Sequence, residues 1–124
     1  AGKWVICDRF LDSSRAYQGG AGGLSDEDIL SLHRIGSEGL LPDLTLLIEV
    51  EPERAAQRLN LRDGGEADRI GGRGAEYHAR VAAAFRQLAA TEPCRFTRID
   101  GNGMPEETLA AAIAALQPLL PPAS

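Results

Sequence analysis

Apolar residues in this chain gather in short blocks, and the spacing inside each block predicts the element it forms. Trp4-Val5-Ile6-Cys7 is a continuous apolar run, the pattern of a strand buried on both faces. Ser25-Asp26-Glu27-Asp28 reads as a helix start, a cap residue followed by acids at the positive end of the dipole. Ile29, Leu32 and Ile35 then recur at helical spacing until Leu40-Leu41-Pro42-Asp43 breaks the pattern. Leu44 to Val50 reads as a second buried strand, and Pro52 stands where a helix begins. Ala55, Ala56 and Leu59 line one face of that helix, while Arg54, Arg58 and Arg62 step along another at four-residue intervals. A glycine-rich charged loop follows, to Gly74. Ala75 to Ala90 is amphipathic, Cys94 to Asp100 alternates like an edge strand, Pro105 to Leu116 is an alanine-rich helix, and 118–124 reads as a flexible tail.

Strands alternating with helices predict an α/β fold built on a parallel sheet. Ligand sites in such sheets lie beyond the carboxyl ends of strands. Asp8, Glu49 and Asp100 all fall at or near predicted strand ends. Three strands make a thin sheet, and the first is preceded only by Ala1-Gly2-Lys3, so the chain reads as beginning inside a domain.

Composition narrows the chemistry. The 124 residues carry a net charge of −5, and aromatic residues make up 5%. The core is therefore aliphatic, and an acidic chain is not expected to bind nucleic acid through a broad basic surface. Anionic ligands fall instead to a few placed arginines, and all but one of the 13 basic residues are Arg. Cys7 and Cys94 lie in apolar runs and are expected to be buried free thiols. His33 and His78 lack ligand-spaced partners and read as helix-surface residues. The sequence shows neither a signal peptide nor an apolar run long enough to cross a bilayer, and the expectation is a cytoplasmic protein with no membrane partner.

The densest chemistry is Asp8-Arg9 followed by the loop Ser13-Ser14-Arg15-Ala16-Tyr17-Gln18-Gly19-Gly20. A carboxylate is a hard ligand for a nucleotide-borne metal, and a guanidinium fork matches phosphate oxygens. Read singly, each residue has a plainer meaning. Asp8-Arg9 is equally a surface ion pair, Ser13 or Ser14 a helix cap, and Tyr17 a core aromatic.

Together these residues resemble the thymidylate kinase signature, an Asp-Arg pair at a strand end, a small polar pair, then Ala-Tyr-Gln-Gly. Pro42-Asp43-Leu44-Thr45 through Val50, Pro52-Glu53, the lid-like Glu66-Ala67-Asp68-Arg69-Ile70 and Ile99-Asp100 follow in family order. The resemblance covers essentially the whole chain. It implies a P-loop nucleoside monophosphate kinase fold and transfer of the ATP γ-phosphoryl group to dTMP, with Mg2+ accompanying ATP and a homodimer as the intact protein. It places Arg9 on the dTMP phosphate, and Asp8 beside Arg9 and, indirectly, the magnesium water shell. It places Ser14 at the thymine edge with Ser13 in support, Tyr17 at the deoxyribose, and Gln18 completing the pocket. Arg62 takes the position of the lid arginine on the ATP phosphates, Arg58 lies near the adenine side, and Arg69 lies within the lid at about 62–74. Asp8, Arg9 and Arg62 are thus the catalytic candidates.

Two departures stand out. Asp63-Gly64 looks like a small insertion in the lid, and Asn60 replaces a position often basic in the family. The family also uses a Gly-x-x-x-x-Gly-Lys-Ser/Thr loop, and Gly19-Gly20-Ala21-Gly22-Gly23 lacks its Lys and Ser/Thr. The chain is therefore expected to be the C-terminal part of one kinase domain, inactive by itself. Two other readings fit parts of the sequence: another P-loop deoxynucleoside or nucleotide kinase, and a noncatalytic nucleotide-binding module.

Overall fold

The computed structural model describes residues 2–63 and 73–122. Its elements, in chain order, are α1 (Leu11–Ser14), a π-helical turn (Arg15–Gly20), α2 (Asp26–Gly36), β1 (Thr45–Glu49), α3 (Pro52–Asp63), α4 (Arg73–Thr91), β2 (Phe96–Asp100), α5 (Pro105–Leu116) and a 3-10 turn (Gln117–Leu119). The chain divides into two compact units, each built from two separated stretches.

The first unit gathers Ala1–Pro42 and Gly72–Thr91 and is helical. Its core is Leu11, Ala16, Ile29, Val81 and Ala89, all buried. The π-turn touches α1, α2 and α4 and so sits at the centre of the unit. Ala21 N–H donates to Ala16 C=O at 3.1 Å, the wide closure that defines a π-turn. Composition predicts a loop for this stretch, because Ser and Gly are frequent in 13–20. It is helical because Leu11 and Ala16 bury their side chains and Gly20 allows close approach: a Cβ on Gly20 would lie 2.3 Å from Ala84 Cβ of α4. The α2 start is as expected. Ser25 Oγ accepts from Asp28 N–H at 3.1 Å, and Asp26, Glu27 and Asp28 fill the first turn.

Three expectations in this unit fail. Trp4–Cys7 is not a strand, and Val5 and Ile6 are 84% and 93% exposed. An apolar run records a tendency to be buried, whereas a strand exists only with a neighbour to share its ladder, and among the described residues no strand pairs with this segment. Cys7 is exposed for the same reason. His33, expected on the surface of its helix, is half-buried against Phe10, edge to face at 5.7 Å.

The second unit gathers Asp43–Gly71 and Glu92–Ser124. Here the expected parallel pairing forms. Among the described residues β1 and β2 make a two-stranded sheet, with Thr45 opposite Phe96 and Glu49 opposite Asp100. Phe96 and Ile99 are buried and α5 packs on β2. The crossover runs through α3 and α4, as parallel strands require. Pro52 opens α3 and Pro105 opens α5, both where the missing N–H costs nothing. β2 starts later than predicted because Pro93-Cys94-Arg95 forms a turn, closed by Arg95 N–H to Glu92 C=O at 3.1 Å. That turn leaves Cys94 exposed rather than buried.

Candidate active site

The acceptor-side candidates lie in the first unit. Arg9 has φ = +60°, the left-handed region, which costs a side-chain-bearing residue roughly 1–2 kcal/mol. Such strain persists where surrounding contacts over-determine it, and it concentrates at functional sites. Its guanidinium carbon stands 5.2 Å from the centroid of the Tyr17 ring, in cation–π contact. Cys7 Sγ donates to the Arg9 carbonyl at 3.4 Å. Asp8 is exposed directly before it.

Tyr17 stands on the π-turn with α4 aromatics around it. Phe85 meets it edge to face at 6.2 Å, and Tyr77 lies at 6.2 Å and 51°. Tyr77 Oη also donates to the Tyr17 carbonyl at 3.5 Å. Ser13 belongs to α1, its N–H donating to Phe10 C=O at 3.0 Å. Ser14 Oγ lies 3.4 Å from His33 Nε2 of α2. Gln18 is exposed, and its carbonyl accepts from Leu24 N–H at 2.9 Å. Asp8, Arg9, Ser13, Ser14, Tyr17 and Gln18 thus belong to one unit, with Arg9 and Tyr17 in direct contact.

Sequence reasoning missed the supporting residues. Tyr77, Val81 and Phe85 recur every four residues along α4, a stripe that could have announced the aromatic wall. His33 and Arg15 gave no such signal. Arg15 makes a two-pronged bond to Asp26, Nε to Oδ1 at 2.8 Å and Nη2 to Oδ2 at 2.9 Å. Its Nη1 reaches the buried Asp12 at 3.4 Å. The hydrogen bond from Arg15, more than its charge, holds the Asp26 carboxyl below its ordinary value of 3.8, against an opposing contribution from burial.

The donor-side candidates lie in the second unit. Val50, Ala55 and Leu59 line a concavity of about 290 Å³ together with Arg58 and Arg62, an apolar floor with two cationic groups. Arg58 Nη2 donates to the Gly101 carbonyl at 2.8 Å and to Gly103 at 3.3 Å, and Arg54 Nη1 donates to the Asn102 carbonyl at 2.8 Å. The four-residue arginine spacing seen in the sequence thus anchors the loop after β2 to α3. Asn102 completes the anchor, its Oδ1 accepting from Glu51 N–H at 2.8 Å. Glu49 ends β1 and accepts from Arg98 Nε at 2.6 Å; that bond, with the attraction between the charges, raises the Arg98 pKa. Arg69 and the segment Glu66–Ile70 lie outside the described residues.

Comparison with known proteins places the chain in a family. The family model described as thymidylate kinase matches residues 1–113. A thymidylate kinase of Rhizorhabdus wittichii is 52% identical over 121 residues, covering 98% of this chain and 58% of that protein. One from Synechococcus sp. JA-2-3B'a(2-13) is 42% identical over 121 residues, covering 98% of this chain and 56% of its own length. One from Halalkalibacterium halodurans is 37% identical over 117 residues, covering 94% and 56%. The chain thus spans little more than half the length of the relatives it matches. With a family model over residues 1–113, a relative 52% identical across nearly all of this chain, and a parallel pairing of β1 with β2, the chain belongs to the thymidylate kinase family.

Proposed function

We propose that the intact protein transfers the γ-phosphoryl group of ATP to dTMP, giving dTDP and ADP. The observation that carries this reading is the left-handed Arg9 held over Tyr17. A cation in a strained conformation, oriented by an aromatic face next to a carboxylate, suits an incoming phosphate. In this reading Arg9 binds the dTMP phosphate, Ser14 addresses the base with Ser13 in support, Tyr17 packs at the sugar, and Gln18 completes the pocket. Arg58 and Arg62 serve ATP, the first beside the adenine and the second on the phosphates, where positive charge stabilises the transferring group. Arg69 belongs to the lid.

Magnesium fits the chemistry of Asp8, a single exposed carboxylate. Mg2+ commonly keeps most of its waters and takes one or two carboxylates together with substrate phosphates. Asp8 would hold its water shell, and the ion would supply charge neutralisation on the phosphates. Among the described residues no cluster of three or more metal-ligating side chains occurs, so the reading assigns no protein cage. Among them, too, no helix is long and apolar enough to cross a membrane. By the same family likeness, the intact protein is a cytoplasmic homodimer.

The test is nucleotide phosphorylation by the full-length protein, with dTMP and thymidine as competing acceptors. Turnover of dTMP, lost on Arg9→Met with the fold retained, is the expected result. Preference for thymidine would favour a nucleoside kinase. Binding of dTMP without turnover would favour a noncatalytic module.

A further inference from the structure

Arg15 has no place in the reading above, yet among the described side chains of this unit it is the most deeply placed arginine. Its side chain is 9% exposed, and its partner Asp12 is 6% exposed. Burying a guanidinium is costly unless its donors are met, and here two carboxylates meet them. The bonds join particular places. Arg15 is the first residue of the π-turn, between Ser14 and Ala16-Tyr17. Asp26 is the first residue of α2, where a carboxylate also answers the helix dipole. Two turns further along α2, His33 reaches back to Ser14 at 3.4 Å. The junction of α1 with the π-turn is therefore tied to α2 on both sides of the Ser14–Arg15 peptide.

We propose that Arg15 is a positioning residue for the nucleotide acceptor site: its fork to Asp26, backed by Asp12, fixes the π-turn so that Ser14 and Tyr17 face a pyrimidine nucleotide in register. This rests on the reading of the π-turn as the dTMP side. The fork is geometric, not merely charged. Lysine at this position keeps the charge but loses the two parallel N–H donors. The effect falls on acceptor binding, because Arg15 acts through Ser14 and Tyr17 and not through groups assigned to ATP.

Steady-state kinetics of the full-length protein with Arg15→Lys, Asp26→Asn and the double variant test this. Arg15→Lys raises the KM for dTMP on the order of tenfold, as a misplaced contact does, while the KM for ATP stays at the wild-type value. Asp26→Asn breaks the same fork from its exposed end, replacing one of its two acceptor oxygens by an NH2 donor and removing the charge. The double variant is no worse than the poorer single one, since both delete one interaction. A purely structural role gives a different pattern: a smaller folded fraction lowers the apparent kcat and leaves both KM values unchanged. That pattern, additive single effects, or a parallel rise in both KM values would overturn the proposal. Should Arg15→Lys fail to fold, Asp26→Asn decides by the same KM criterion. A wild-type protein that does not phosphorylate dTMP refutes the functional reading and this inference with it. An active wild type whose variants keep its KM for dTMP refutes the inference alone.

Discussion

Replacing Gly20 by alanine probes the packing of the π-turn through the sign of its effect. A glycine inside a helical segment normally lowers stability, and alanine there is expected to add about 0.4–1 kcal/mol. At Gly20 the new methyl would lie 2.3 Å from Ala84 Cβ and 3.5 Å from Ala84 Cα. Carbon atoms rest about 3.5–4.0 Å apart, so the π-turn and α4 would have to separate by more than about 1 Å. Ala84 Cβ is fixed to its helix and cannot swing away. Overpacking of this kind costs about 1–3 kcal/mol, which outweighs the propensity gain and makes Gly20→Ala destabilising. Urea unfolding of the full-length protein reads the difference. Ala84→Gly alone also destabilises, by about 1 kcal/mol as an interior helix glycine. Combined with Gly20→Ala it relieves the clash, so the double variant is more stable than the sum of the single effects predicts, by about 0.5–3 kcal/mol. A Gly20→Ala protein as stable as wild type, or additive behaviour in the cycle, would refute the close approach of the π-turn to α4.

Three further outcomes follow from the geometry. In Gly101→Ala a methyl would meet Ile48 Cγ2 at 2.7 Å and Val50 Cγ2 at 2.9 Å; it lowers the unfolding free energy by about 1–3 kcal/mol, and an unchanged denaturation midpoint would contradict the packing of the loop on β1. Ser25→Ala removes the α2 cap and costs about 1 kcal/mol, with Ser25→Asp close to wild type in the same assay. Asp26 has its carboxyl pKa lowered in the folded state, so its stabilising contribution is complete above the ordinary value of 3.8 and is lost as the pH falls below it through the lowered value; acid titration of stability should show this loss, and Asp26→Asn should remove that part of the slope.

The sequence was informative where local rules decide the outcome. Ser25, Pro52 and Pro105 each mark a helix start by their own chemistry, and α2, α3 and α5 begin there. β1 and β2 were legible from their apolar runs, and their parallel pairing from the helices between them. What could not be read was anything decided by a distant neighbour. Val5 and Ile6 have the apolar character of a strand but, among the described residues, no ladder. Arg15 to Gly20 has the composition of a loop, yet it is helical because Ala84 lies over a residue with no side chain. The site shows the same division. Arg9 and Tyr17 were visible as motif residues, but their stacking was not, and neither were the His33 contact to Ser14 or the Arg15 fork to Asp26.

The discontinuous course of the chain has a kinetic consequence. Thr45 and Phe96 are register partners about 50 residues apart in sequence, and the intervening stretch includes α4, which belongs to the other unit. Closing a flexible loop of that length costs about 3.5 kcal/mol beyond a constant, from (3/2)RT ln n. The sheet gains nothing until that closure is complete, so β1–β2 pairing is a late, high-contact-order event. The helical unit is interrupted too, since α4 must return to α1 and the π-turn. Neither unit can therefore finish folding as one uninterrupted stretch emerging from the ribosome. Arg9 and Tyr17 are synthesised early, but the aromatic wall that holds Tyr17 arrives only with α4, some 60 residues later.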